Sequence, residues 1–267
     1  MKKQFLFPLV VILGSIPAFA LRLLQNRTGF EAVTGLPIPG NFAGLALPLL
    51  LAALAAVLFL LARRFPNEPA SFSTLFSTSD SALLTLPVMG ILLMGVSGIL
   101  ELASILLGET IPPHFAGGES PVMVSLSAAT ALLPAIALFP IIAACRQTDA
   151  AEPRSIDGQL LLVPPVCLVV RLVLTYRNVS INPSLEMYYV ELLALVFLTL
   201  GFYRLAGIAC QTGRVRRFSL YTGLAVVLSF VTMADGGQIA GLLLYAGGAL
   251  TLVGFQLLAA SNIRDAA

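Results

Sequence analysis

Eight runs of about twenty consecutive, mostly apolar residues divide this chain, and they dictate its solvent. A helix rises ~1.5 Å per residue, so a run of that length matches the ~30 Å hydrocarbon layer of a bilayer. The runs fall at 5–24, 43–62, 83–107, 122–145, 159–176, 187–207, 218–234 and 239–260. Only 10% of the 267 residues are charged, against about 25% in a typical soluble domain. So few charges cannot coat a globule of this size in water. The runs are continuous and not alternating, which excludes a transmembrane barrel. The expected fold is all-α: a polytopic helical bundle of about eight spans, forming one integral membrane domain over 1–267.

The basic residues set the expected orientation. With the N-terminus inside, the inner segments carry Lys2, Lys3, Arg63, Arg64, Arg146, Arg154, Arg214, Arg216, Arg217 and Arg264. The outer segments carry Arg22, Arg27 and Arg177. Ten against three is a positive-inside bias, so both termini are expected in the cytoplasm. The Lys-Lys start and the absence of a soluble domain suggest a bacterial cytoplasmic membrane. One competing reading is a cleaved signal peptide ending at Ala18-Phe19-Ala20. A retained first span is expected instead, because the apolar run continues past that site and Pro8 interrupts the apolar region.

Prolines are frequent inside the runs: Pro8, Pro17, Pro48, Pro87, Pro134, Pro140, Pro164 and Pro165. Each removes a backbone N–H and strains the preceding turn, so several Pro-broken helices are expected. A weak internal echo links Ala20–Arg27 with Val170–Arg177, and Arg63-Arg64-Phe65 with Arg216-Arg217-Phe218. It suggests two parallel four-span halves, 1–150 and 151–267.

Besides Arg22 at the outer end of the first run, four charged residues lie within the runs: Glu101, Arg171, Glu191 and Arg204. A charge at the bilayer centre costs about 2.5–3.5 kcal/mol on the insertion scale, so such residues face the bundle or a wet cavity. Counting from the outer ends of their spans, Glu101, Arg171 and Glu191 sit within roughly 6–9 Å of the outer boundary, and Arg22 is near the same level. Two carboxylates and two guanidiniums at one depth can cancel in a network. Glu101 shares a helix face with Gly90, Met94, Ser97 and Ser104, which is not a lipid-facing stripe. Arg204 lies near the inner end of its span and is expected to reach the headgroups. Candidate ligand or ion-pair residues are therefore Glu101, Arg171, Glu191, Ser97 and Arg22. Three readings stay open: a latch between helices, an outward-facing site for an ion or polar solute, and exposure at the interface.

Other chemistries lack their residues. Gly95-Val96-Ser97-Gly98 matches the GxSG of rhomboid proteases, but the only histidine, His114, falls in the loop after span three. Ala234-Asp235-Gly236-Gly237 reads as a tight outer turn. There is no HExxH, no lysine beyond Lys3, and no cluster of histidines, so neither a metal nor another cofactor is expected. Cys145, Cys167 and Cys210 have no CxxC spacing and read as small apolar residues. A formal net charge of +2 without basic runs argues against nucleic acid. Without a nucleophile–base pair, the expectation is a non-enzyme. The expected function is a small-solute or ion transporter or permease-like subunit with an outward-side polar site. The alternative is an accessory or sensor subunit that contacts a membrane or cytoplasmic protein partner through its helices.

Overall fold

The computed structural model describes residues 5–31, 36–67, 71–107, 121–146, 158–180 and 188–263. His114 and the rest of 108–120 lie outside these residues. The helices are α1 (Leu6–Thr28), α2 (Phe42–Ala62), α3 (Phe72–Phe76), α4 (Ser81–Leu106), α5 (Pro121–Cys145), α6 (Val163–Val179), α7 (Tyr189–Ala209), α8 (Val215–Met233) and α9 (Ile239–Asn262). All but α3 are long and apolar enough to cross a membrane, α6 with the 3-10 turn Leu160–Leu162 leading into it. These eight spans match the eight apolar runs to within a few residues. The protein is a multi-pass membrane protein built as an all-α bundle.

Successive spans alternate in direction, so Leu6 and Asn262 lie at one end of the bundle, here the terminal end. The described basic residues Arg63, Arg64, Arg146, Arg214, Arg216 and Arg217 lie in the connections or first helical turn at that end. At the opposite, far end, Asn41 caps α2 by accepting from the backbone N–H of Ala43 and Gly44, which meets two of the four orphan donors of a helix start.

The spans differ sharply in enclosure. α8 and α9 are the most buried, and α2 is the least. Phe42 and Leu49 of α2 are 76% and 71% exposed. Such an apolar face is a liability in water and is the expected dress of a helix against acyl chains. The small residues Ala52 and Ala56 fall on this exposed face, while Ser127 and Ala131 of α5 point inward.

α4 and α9 make the most extensive contact in the bundle. Their backbones meet at glycines. A β-carbon on Gly247 would come within 2.6 Å of the Gly90 carbonyl oxygen and 2.8 Å of the Met94 nitrogen. At Gly254 it would strike the ring of Pro87. Small residues thus allow the close approach that drives helix association in lipid, where apolar burial supplies no force. This contact joins the first four spans to the last four. α7 packs along α8, whereas α2 and α4 are not packed along one another.

The prolines do not break the helices, which corrects the expectation of several Pro-broken helices. Pro17, Pro48, Pro87, Pro134 and Pro140 lie inside continuous helices. Pro8 falls in the first turn of α1, and Pro164 and Pro165 open α6, where the missing N–H would have no intrahelical partner anyway. One proline removes one hydrogen bond from a helix of more than twenty residues, and packed neighbours hold the rest of the ladder.

The terminal end is closed by α3. Ser71 caps this short helix, and Asn262 at the end of α9 donates to the carbonyls of Leu75 and Ser77 at 2.9 and 2.7 Å. Phe76 packs edge-on against Phe218 of α8 and Phe255 of α9, with centroids 5.7 and 5.2 Å away. Edge-to-face pairs of this kind add about 0.5–1.5 kcal/mol each beyond area burial.

Candidate functional site

The buried charges gather at the far end, as ion pairs between helices. Glu101 is a turn and a half from the end of α4, and Arg171 is two turns from the end of α6. The guanidinium grips the carboxylate with two bonds, Nη2 to Oε1 at 2.6 Å and Nη1 to Oε2 at 2.9 Å. Nη1 also donates to the hydroxyl and the backbone carbonyl of Ser127 on α5. Glu101 is 7% exposed and Arg171 is 9%. A planar fork on a carboxylate is the geometry in which such a pair best offsets desolvation.

A second pair sits on the other side of the same end. Arg22 of α1 is 1% exposed. Its Nε donates to Oδ1 of Asp235 at 2.6 Å, and its Nη1 donates to Gln25 at 2.9 Å. The guanidinium lies over the ring of Tyr189, 5.5 Å from the centroid. Asp235 stands in the turn between α8 and α9, held there by Gly236 at φ 65°, which favours glycine. Asn26 donates to the same Oδ1 at 2.9 Å and to the Ala234 carbonyl at 3.1 Å. These bonds tie α1 to the α8–α9 turn.

Between the pairs lies a chamber of about 390 Å³. Its wall includes Arg22, Arg171, Glu191, Asp235, Tyr188 and Tyr245. Tyr245 of α9 donates its hydroxyl to Oε1 of Glu191 at 3.0 Å. Glu191, in the first turn of α7, is within electrostatic reach of Arg171. Tyr188 precedes α7. Burial, together with the nearby Glu191 and Asp235 carboxylates, pushes its phenol above the usual tyrosine range. It therefore stays protonated and can donate a hydrogen bond throughout the neutral range.

The sequence candidates thus divide. Glu101 and Arg171 meet directly, and Arg22, Arg171 and Glu191 share one cavity. Among the described ion pairs, Arg22 meets Asp235 and Arg171 meets Glu101. Ser97 shares the buried face of Glu101 but lies outside the chamber wall. Its hydroxyl donates to the Ala240 carbonyl at 2.6 Å and fastens α4 to α9. Arg204 reaches the terminal end of α7, where its guanidinium lies 5.1 Å from the Tyr221 ring centroid and 5.7 Å from that of Tyr203.

No family model, curated protein or solved structure matches this chain. What the site can do is therefore read from its own atoms.

Sequence reasoning passed over Asp235, Tyr245, Asn26 and Ser127. Asp235 had a signal: Arg22 at the lip of a span needs a counter-ion at its own depth, and Asp235 follows span seven at that level. Tyr245 lies almost two turns inside the last apolar run, where a phenol has no local signature. Ser127 is one small residue among several in its apolar run, with nothing in the sequence to mark it.

Proposed function

We propose that the protein is a small-solute or ion transporter, or a permease-like subunit, whose far-end chamber is the outward-side binding site. The basic residues at the terminal end favour a cytoplasmic placement of both termini, in a bacterial cytoplasmic membrane. The observation that carries the reading is the chamber itself. It is a cavity of about 390 Å³ at the end of a lipid-embedded bundle, walled by side chains of both charge signs from five helices and the α8–α9 turn. Pockets of this size suit small molecules, and ionisable groups at membrane depth mark solute paths. No catalytic step is proposed.

A second reading has its own support. Both guanidiniums already meet carboxylates from other elements, Glu101 on α4 and Asp235 in the α8–α9 turn, as a latch would. On that reading the protein is an accessory or sensor subunit acting through helix contacts with a membrane or cytoplasmic partner.

Uptake of a panel of labelled small solutes separates the two. Cells producing the protein are compared with cells producing Glu191→Gln at equal membrane level. Transport predicts at least one solute whose uptake rises with the protein and falls back in the variant. An unchanged panel, with a stoichiometric partner retained through purification, supports the accessory role.

A further inference from the structure

Arg204 differs from the far-end guanidiniums, because no carboxylate among the described residues meets it. It stands five residues before Ala209, the last residue of α7, so its backbone is about 7–8 Å inside the terminal end of that span. Its Nε is buried and has no hydrogen-bond partner among the described residues. The guanidinium lies over the rings of Tyr221 and Tyr203, 5.1 and 5.7 Å from their centroids. A ring holds a guanidinium by its face and leaves the in-plane N–H groups of Nη1 and Nη2 free to donate. The Tyr221 ring is in turn 6.4 Å from that of Phe197, two turns back on α7, which seats it in the α7–α8 groove. A cation at membrane depth is costly until a counter-charge meets it.

The surroundings narrow what that counter-charge is. Asp80, the described carboxylate at this end, is committed to the start of α4, where its Oδ1 accepts from the Ala82 N–H at 2.9 Å. Arg217, four residues before Tyr221 on the same face of α8 and one turn nearer the terminal end, is exposed and adds a second positive charge. Tyr203 is 52% exposed on the flank of α7, where acyl chains lie. The missing anion must therefore sit at the boundary of water and hydrocarbon with apolar matter beside it. A phospholipid phosphate meets both demands, whereas a carboxylate of a soluble partner would have to leave water to reach Arg204.

We infer that the terminal end of the α7–α8 groove binds the headgroup of an anionic phospholipid, whose phosphate accepts from Nη1 and Nη2 of Arg204. A planar fork on a phosphate gives direction as well as strength. The Tyr221 ring positions the guanidinium, Arg217 draws the headgroup in from the rim, and Tyr203 packs beside the upper acyl chain. The groove is at the opposite end from the chamber, and its occupant is independent of what the chamber holds.

Thermal unfolding of the purified full chain in a non-ionic detergent tests this. The probes are phosphatidylglycerol, phosphatidylcholine (whose phosphate already neighbours its own ammonium), sodium phosphate and sodium chloride, the two salts at matched ionic strength. The expected result is a saturable rise in Tm with phosphatidylglycerol alone. Arg204→Gln should raise the half-saturating lipid concentration about tenfold, the loss expected of one charge-assisted bond. Arg204→Lys keeps the charge and loses the fork; it should show a smaller loss in the same direction, and it carries the comparison if the Gln variant does not fold. Arg146→Gln, which removes an exposed charge beside α5 at the same end, should keep the wild-type response. An equal response in wild type and Arg204→Gln, or a loss as large in Arg146→Gln, would mean that net charge alone attracts the lipid and would overturn the site. A rise of the same size with phosphatidylcholine would overturn it too. If sodium phosphate reproduces the rise, the groove takes a free anion and the lipid assignment falls. If no addition shifts Tm, the groove holds no such site.

Discussion

Arg171 is the residue whose environment is least forgiving. Its guanidinium is buried and bonded to Glu101 and Ser127, on two other helices. Deleting one charge of such a pair leaves the other buried and uncompensated, at about 3–5 kcal/mol. Glu101→Gln is therefore expected to lower the Tm of the purified protein and its membrane level, and Arg171→Gln should do the same. The double variant should recover much of the loss, because two neutral amides can bond each other. Equal and additive losses in a double-mutant cycle would refute the coupling. The sequence made both members of this pair visible, since charges inside apolar runs are conspicuous. It did not show the partner of Arg22, because Asp235 lies just beyond a run and looks like an ordinary turn residue. An apolar background exposes ions within it and hides those at its edges.

Glycine decides which helices become neighbours. Lipid supplies no apolar driving force for association, so contact geometry does the selecting. α4 and α9 come closest where Gly90 faces Gly247 and where Pro87 meets Gly254. A methyl group at position 247 would press on backbone atoms, which cannot rotate away. Gly247→Ala is expected to destabilise the bundle by about 1–3 kcal/mol, read as a lower Tm in detergent. Gly241→Ala, six residues earlier on α9 with nothing within 4 Å of the added carbon, is the control and should leave Tm unchanged or slightly raised. Element positions were legible in the sequence, because a twenty-residue apolar run admits one structure in a bilayer. Element pairing was not. The prolines pointed to broken helices, yet a proline inside a packed bundle mainly shapes a surface, as Pro87 does against Gly254.

At the scale of the molecule, the two ends are chemically unlike. The terminal end holds Arg63, Arg64, Arg146, Arg214, Arg216 and Arg217, and the far end holds the ion pairs and the chamber. Cys210 offers a native reporter of orientation. It is exposed at the terminal end of α7, while Cys145 and Cys167 are buried. A membrane-impermeant maleimide added to intact cells is expected to leave Cys210 unlabelled until the membrane is opened. A cysteine placed at Gly236 in the far-end turn should label at once. Labelling in the reverse order would invert the topology and turn the chamber toward the cytoplasm. The basic residues alone suggest an orientation, but the chamber needed five helices to converge, and no pattern along one strand of text records convergence. At the terminal end lies the aromatic cluster of Phe76 with Phe218 and Phe255. Those rings tie α3 to the same two helices whose connecting turn holds Arg22 at the opposite end, so a slip of α8 against α9 would be felt at both faces of the bundle.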